Sequence, residues 1–268
     1  MPSPAGKAAD QVQAAKQAVR ERVWEQMERS GAALPPGAYG RIPMFERADA
    51  AADRLVGLPL RQAARIVKAN PDWAQMPVRT RALEAGKIVY MAVPRLAGEY
   101  PFVMLDPSRL SAPAEDAGDK DRALELGQPV QVEEIQPVDL AVAGSVAVNK
   151  SGARVGKGGG FSDIEIGLLT ETGVIGPQTT VVTTVHPLQV VDDPIPETRH
   201  DFRVYVIVTP DWILRATDPR PSQGIIWDDL DQAKIAAIPA LARLVSRHCT
   251  LAPRCHSAAV EHSSPLTV

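Results

Sequence analysis

The sequence predicts an α/β protein, one three-layer α/β/α domain whose mostly parallel sheet lies between helices. Three observations point there. Lys87–Val93 (Lys-Ile-Val-Tyr-Met-Ala-Val) and Val138–Val148 are apolar runs without polar alternation, the composition of strands buried on both faces. Segments of helical periodicity separate such runs, and strands alternating with helices imply a parallel sheet covered on both sides. A glycine-rich stretch, Arg154–Asp163, directly follows one run, and ligands of such sheets bind at the carboxyl ends of strands.

Taken in order, Met1–Asp10 is small and polar and reads as a flexible arm (residues 1–10). From Gln11 to Ser30 the apolar positions Val12, Ala15, Val19, Val23 and Met27 recur every three or four residues, giving a helix with one buried stripe. Lys16, Arg20, Arg22 and Glu25 lie opposite. Leu34-Pro35-Pro36-Gly37 is a loop, and Asp49–Val56 is a short helix with Asp49 as candidate N-cap. Ala64–Lys68 is a strand that ends at the turn Asn70-Pro71-Asp72. Met76–Ala85 is a helix stopped by Gly86, and the strand Lys87–Val93 is closed by Pro94. Asp106–Pro137, rich in acidic and small residues, reads as an exposed excursion. The strand Val138–Val148, the glycine-rich loop and a helix over Asp163–Glu171 follow, and Gln178–His186 and Arg203–Val208 complete the strands. From Ile225 to His248, Trp227, Leu230, Ile235, Ile238, Leu241 and Leu244 suggest one or two closing helices. The domain therefore spans 11–248 with a C-terminal helical extension from about 225, and 249–268 reads as a disordered tail.

Composition narrows the function. Of 268 residues 45% are apolar, enough for a sizeable core, and the net charge of −3 provides no overall drive toward nucleic acid or membranes. No run of eighteen apolar residues exists and the N-terminus lacks the apolar segment of a secretory signal. The two cysteines, Cys249 and Cys255, make no disulfide framework. The spacing of His248-Cys249 and Cys255-His256 is wider than structural zinc sites use. These features predict a soluble cytoplasmic protein; the expected state, a monomer or small homo-oligomer, is not read from composition.

The glycine-rich stretch reads Arg154-Val155-Gly156-Lys157-Gly158-Gly159-Gly160-Phe161-Ser162-Asp163. A backbone with so few side chains can turn several N–H groups toward one anion, and the lysine adds positive charge. It lacks the terminal Gly-Lys-Ser/Thr of a phosphate-binding P-loop, and Phe161 stands where a dinucleotide fingerprint needs its third glycine. Glycine content alone fits a surface loop equally well. The flanking charges and an aspartate opening a helix point to a nucleotide.

At Asp139–Asp163 the chain resembles the 5-formyltetrahydrofolate cyclo-ligase (methenyltetrahydrofolate synthetase) family, whose signature is roughly Arg-x-Gly-Arg/x-Gly-x-Gly-Tyr-Tyr-Asp. Further elements recur in the family's order: Lys16-x-x-x-Arg20, Gly86-Lys87, Pro94-Arg95 and Glu197-Thr198-Arg199-His200-Asp201, together spanning about residues 12–210. Lys157–Asp163 with Glu165, and the turn Lys68-Ala69-Asn70-Pro71-Asp72, are similar to the branch called methenyltetrahydrofolate synthetase domain-containing proteins. The resemblance implies a three-layer fold of the CoA-transferase-like kind and ATP-driven ring closure of 5-formyltetrahydrofolate to 5,10-methenyltetrahydrofolate through a phosphorylated formyl group. It also implies ATP and Mg2+ as cofactors and a reduced folate as substrate, with neither nucleic acid nor membrane as partner.

Carried over by position, Lys16, Arg20, Arg154, Gly156, Lys157, Gly158, Gly159, Gly160 and Phe161 would hold ATP, with Lys157 the catalytic residue. Asp72, Lys157, Gly158 and Phe161 would contact folate, and Asp163 and Asp201 would bind magnesium. Simpler roles stand beside these: Lys16 and Arg20 as a solvated helix face, Asp163 as a helix cap, Asp72 and Asp201 as turn residues. Phe161 and Ser162 replace the family's paired tyrosines, Ile164 the basic residue that often follows, and a second late aspartate is missing near Tyr205. These departures leave nucleotide parts in place and make a second reading natural, that of a catalytically weak or inactive module that binds a nucleotide or folate for regulation.

Overall fold

A computed structural model describes residues 4–251. The chain opens with α1 (Pro4–Arg29), which begins inside the stretch expected to be an arm, and continues through α2 (Ala48–Val56) and α3 (Pro59–Ala63). Asp49 is not the cap of α2: Arg47 holds that position in the left-handed region (φ 60°), and Asp49 sits in the first turn, where its charge favours the helix N-terminus.

An α/β succession follows: β1 (Ile66–Ala69), α4 (Met76–Glu84), β2 (Ile88–Ala92), β3 (Phe102–Leu105), α5 (Ala114–Gly118), α6 (Lys120–Leu126), β4 (Gln128–Val130), β5 (Leu140–Val142), β6 (Ala147–Asn149), β7 (Arg154–Val155), α7 (Phe161–Glu171), β8 (Thr180–Thr184), β9 (Val190–Val191), β10 (Val206–Val208) and β11 (Ile213–Arg215). A 3-10 turn at Trp227–Asp229 then leads to α8 (Gln232–Ala237) and α9 (Pro239–Leu251). The main sheet has the order β11-β10-β8-β5-β1-β2-β3-β4. Its centre is parallel, with Val67 facing Val89 on one side and Leu140 on the other, and the edge pairs β10–β11, β2–β3 and β3–β4 are antiparallel. Leu140, Ala141 and Val142 are all buried, which is why such strands read as unbroken apolar runs.

Two expectations need correction. Val138–Val148 is not one strand. Ala143 still donates to Val182 in the main sheet, but Val146 donates to Val155, and the chain has crossed into a second sheet of order β7-β6-β9. Apolar composition reports burial and is silent about which sheet a strand joins. The excursion at Asp106–Pro137 contains α5, α6 and β4, and buries Ala117, Ala123, Val130 and Val132. Its apolar positions are small or widely spaced, so no stripe shows in the sequence.

Helices cover both faces of the main sheet. On one, Ala52, Leu55, Val78, Ala82, Ala117 and Ala123 of α2, α4, α5 and α6 pack on Val67, Val89 and Val142. On the other, Ile164, Ile166 and Leu168 of α7 share a core with Ile235, Ile238 and Leu241 of α8 and α9. Val23, Trp24 and Met27 of α1 join Val146, Ala147 and Val155, fixing the first helix over the small sheet. The C-terminal extension is thus part of the domain core through α9. The expected tail, 249–268, begins too early, since α9 runs to Leu251; the rest of it and the histidine–cysteine side chains at 248–256 lie outside the described residues.

Candidate functional site

A cleft of about 1610 Å³ opens above the carboxyl ends of β1, β2 and β5. It exceeds the roughly 300–1,000 Å³ usual for one small ligand and has room for two. Every residue given a site role from the sequence lines it: Lys16, Arg20, Asp72, Arg154, Gly156–Phe161, Asp163 and Asp201. Its walls include α1, the turn at 70–73, the glycine-rich loop before α7, the segment before β10, and residues 228–231 with Lys234.

The loop supplies bare backbone. Gly158 (φ 111°) and Gly160 (φ 68°) lie in the left-handed region, which side chains rarely enter, and these two reversals curl the backbone into a concave turn. Among the described residues, the N–H groups of Lys157, Gly158, Gly159 and Gly160 donate to no other protein group. Gly160 is also the N-cap of α7, so the loop ends where that helix presents its own first N–H groups. Asp163 is consequently not the cap; it sits in the first turn.

Positive charge surrounds this loop. Arg20, buried on α1, donates through Nε to the Gly156 carbonyl at 2.7 Å. Arg154 is buried under the loop, donating to Asp163 Oδ1 at 3.0 Å and to the Gly144 carbonyl at 3.2 Å. Burial and then the neighbouring Arg154 pull the Arg20 pKa below its ordinary value, a mark of crowded positive charge that an anion would relieve. Lys16 Nζ donates to both Asp201 oxygens, at 2.7 and 2.5 Å. Neither Lys16 nor Arg20 is a solvated surface cation: both are about 5% exposed. Lys157 Nζ reaches Asp72 Oδ1 at 2.9 Å, bringing the loop against the Asn70-Pro71-Asp72 turn.

The two acids expected to hold magnesium differ. Asp201 has its oxygens taken by Lys16 and by the Thr198 backbone and hydroxyl. Although burial opposes ionisation, those bonds hold its carboxyl below the usual range. Asp163 accepts from Arg154 through Oδ1 alone. Burial pushes its carboxyl above the ordinary range against the pull of Arg154, and nearby Asp201 adds to the rise. A buried carboxylate with a free oxygen and a like charge beside it suits a cation, and magnesium commonly takes one carboxylate plus phosphate oxygens. The donor set fits magnesium at Asp163; Asp201 serves Lys16. No cluster of three acidic, histidine or cysteine side chains able to hold a metal exists among the described residues, so phosphate and water would complete the shell.

Beneath the cleft lies a layer that sequence patterns did not reveal. Lys68, fully buried on β1, bonds Asn70 Oδ1 at 2.5 Å and pairs with Glu165 of α7 at 2.8 Å. Burial raises the Glu165 carboxyl pKa, with Lys68 opposing. The pair ties α7, and so the loop, to the end of β1. Arg79 of α4, also fully buried, donates to the carbonyls of Asn70, Asp72 (3.1 Å) and Gly118 (2.8 Å), and burial lowers its pKa to about 10. Gly144, at the end of β5, lets the Asp72 carboxylate approach: a Cβ there would stand 3.1 Å from Asp72 Oδ2. Lys68 and Glu165 appear in the sequence only as parts of short motifs, Arg79 resembles any helix-surface arginine, and Gly144 is hidden in an apolar run. Lys234, on α8, also lines the cleft.

The fold is a layered α/β domain with a cleft at the carboxyl ends of its parallel strands. Residues 12–210 match the 5-formyltetrahydrofolate cyclo-ligase family, and the chain belongs to that family. Among curated relatives, the mouse methenyltetrahydrofolate synthase domain-containing protein is 35% identical over 238 residues, covering 87% of this chain and 63% of the relative. Its human counterpart is 32% identical, with 87% and 62% covered. The chain thus spans less than two thirds of the length of these relatives. Two solved structures are similar at lower identity. The 5,10-methenyltetrahydrofolate synthetase of Aquifex aeolicus has 19% identity and a TM-score of 0.49, over 79% of this chain and 97% of that one. The enzyme of the same name from Mycoplasma pneumoniae has 12% identity and a TM-score of 0.43, over 72% and 97%. No helix among the described residues is long and apolar enough to cross a membrane.

Proposed function

We propose that the chain closes 5-formyltetrahydrofolate to 5,10-methenyltetrahydrofolate, coupled to conversion of ATP to ADP and phosphate. The observation that carries this reading is the set of undonated loop N–H groups at 157–160, ringed by Arg20, Arg154 and Lys157 in a cleft large enough for two ligands. Phosphoryl transfer asks little covalent work of side chains and much charge neutralisation and alignment, which is what this wall offers. The formyl oxygen takes the terminal phosphoryl group of ATP; N10 then attacks the formyl carbon, its proton is lost, and phosphate departs with the oxygen. The loop N–H groups with Arg20 and Arg154 hold the phosphates. Lys157, oriented by Asp72, neutralises charge on the phosphoryl group in flight. Asp163 would hold magnesium, which would supply neutralising charge for the phosphate oxygens. Lys16, fixed by Asp201, contributes charge at the edge of the phosphate wall.

Purified protein mixed with 5-formyltetrahydrofolate and Mg-ATP is expected to form the methenyl product, followed by its absorbance. ATP binding without product would replace this reading with the regulatory one, which the lack of a phenol hydroxyl at Phe161 and Ser162 favours; absence of nucleotide binding would remove both. Asp163→Asn keeps an acceptor for Arg154 but removes the carboxylate charge. It should raise the magnesium concentration for half-maximal ATP binding at least tenfold, and an unchanged titration would free Asp163 of the metal role.

A further inference from the structure

The family match ends at residue 210, yet the cleft has a wall made of chain beyond it. Asp228, Asp229, Leu230, Asp231 and Lys234 all face the same space as the glycine-rich loop. Two attachments hold this wall in place. Ile235 and Ile238 are sunk in the core that contains Ile164 and Ile166 of α7. Across the cleft, Asp229 meets Arg199 Nη1 and His200 Nε2, each at 3.6 Å, tying the extension to the segment that carries Asp201.

Lys234 projects from this wall onto the loop. Its Nζ lies 3.3 Å from the Gly159 carbonyl, 5.6 Å from the Phe161 ring centre and 3.4 Å from where a Cβ on Gly160 would stand. Among the described residues Lys234 has no carboxylate within ion-pair distance, as is also true of Arg20, Arg41, Arg95 and Lys120 in the same cleft; of these, Arg20 and Lys234 donate to carbonyls of the glycine-rich loop. Lys16 is paired with Asp201, Arg154 with Asp163, Lys157 with Asp72 and Arg199 with Asp229. The Gly159 carbonyl takes one of the three donors of Lys234. An ammonium held beside bare loop N–H groups, with two donors unspent, is arranged for an anion that is not part of the chain.

We infer that Lys234, supplied by the C-terminal extension, is a further binding residue for the polyphosphate of the nucleotide in this cleft. The inference rests on the nucleotide reading proposed above and adds to it a cation from outside the family's own region. Lys234 lies over the last glycines of the loop, while Arg20 of α1 stands 3.7 Å from a Cβ built on Gly158. The loop would thereby be held by both α1 and α8, and the phosphate chain would meet charge from both helices. Binding of nucleotide would also draw the extension against α7, since Lys234 and Ile235 are neighbours on the same helix.

Direct binding to the full chain tests this without reliance on turnover. Titrations of Mg-ATP, Mg-ADP and AMP would be compared for the parent protein, Lys234→Met, Lys234→Arg and Lys157→Ala, with thermal unfolding as a check on folding. Methionine keeps an apolar stem against Phe161 and removes the charge. The expected result is about tenfold weaker ATP binding in Lys234→Met, a smaller loss for AMP, and recovery of most of the affinity in Lys234→Arg. Equal ATP affinity in Lys234→Met and the parent, while Lys157→Ala binds more weakly, would overturn the role of Lys234 and leave the nucleotide site standing. Equal losses for ATP and AMP without rescue by arginine would also overturn it, because they would mark a packing role. A parent protein that binds none of the three nucleotides would overturn the site and this residue together.

Discussion

Lys157→Ala is expected to lower methenyl formation by roughly 10²–10³-fold, the usual effect of removing one preorganised charge stabiliser from a transition state. The ammonium is carried by the residue just before the φ-reversed Gly158 and points back to Asp72 at 2.9 Å, so it is placed before any ligand arrives. Preorganisation is what makes the effect large, since no reorientation is needed as charge builds on the phosphoryl group. The side chain is about half exposed, so its removal leaves no buried cavity and should hardly change stability. Measured kcat should therefore fall much more than ATP affinity, and Lys157→Arg should retain an intermediate rate. If kcat is unchanged, the loop holds phosphate only through its backbone and the assignment of Lys157 is wrong.

The second large effect is on stability. Arg79→Met should destabilise the fold by about 3 kcal/mol or more, since it strands two buried carbonyls and one partly buried one, a buried carbonyl costing about 1–3 kcal/mol when left without a donor. Those carbonyls belong to Asn70, Asp72 and Gly118, so one guanidinium joins the turn below the cleft to the end of α5. The cost of burying that charge, visible in a pKa lowered to about 10, offsets part of the loss, which is why the sum of three broken bonds is not expected. Thermal unfolding would report a fall of about 6–12 °C at the usual slope for a domain of this size. Arg79→Lys should recover only part, because an ammonium lacks the planar fork that reaches separate carbonyls. Loss of less than about 1 kcal/mol in the methionine variant would mean that water or a rearranged turn satisfies those carbonyls.

The site and the stability of its floor are coupled through Asp72. Its carbonyl is held by Arg79, and its carboxylate holds Lys157. The loop side is anchored separately, by Lys68 and Glu165 between β1 and α7. The loop and the turn thus rest on three buried charged side chains, Arg79, Lys68 and Glu165, that never need to touch a ligand.

How far the sequence reached can be seen from particular residues. The alternation of apolar runs and helical stripes, and the glycine-rich stretch at 154–163, were legible because both are patterns among near neighbours. That is how the α/β class, the helix α7 and the family membership could be read directly. The switch between sheets at Gly144 was not legible, since the residues on both sides are equally buried and equally apolar. Nor was the difference between Asp163 and Asp201, which look alike in a motif but have different partners.

By itself, then, the sequence determined the α/β class, the helices α1, α2, α4 and α7, the buried strands β1, β2, β5, β8 and β10, and which loop has backbone to offer an anion. Only the tertiary structure decided which charges are spoken for. Lys16 finds Asp201 across 185 positions, Lys157 finds Asp72 across 85, and Lys234 arrives at Gly159 from 75 residues further along the chain. Propensity and periodicity act over a few residues, whereas ion pairs form between whatever side chains packing brings together. The packing of the extension on α7 placed a lysine without a counter-ion beside the loop, and no local pattern could have announced it.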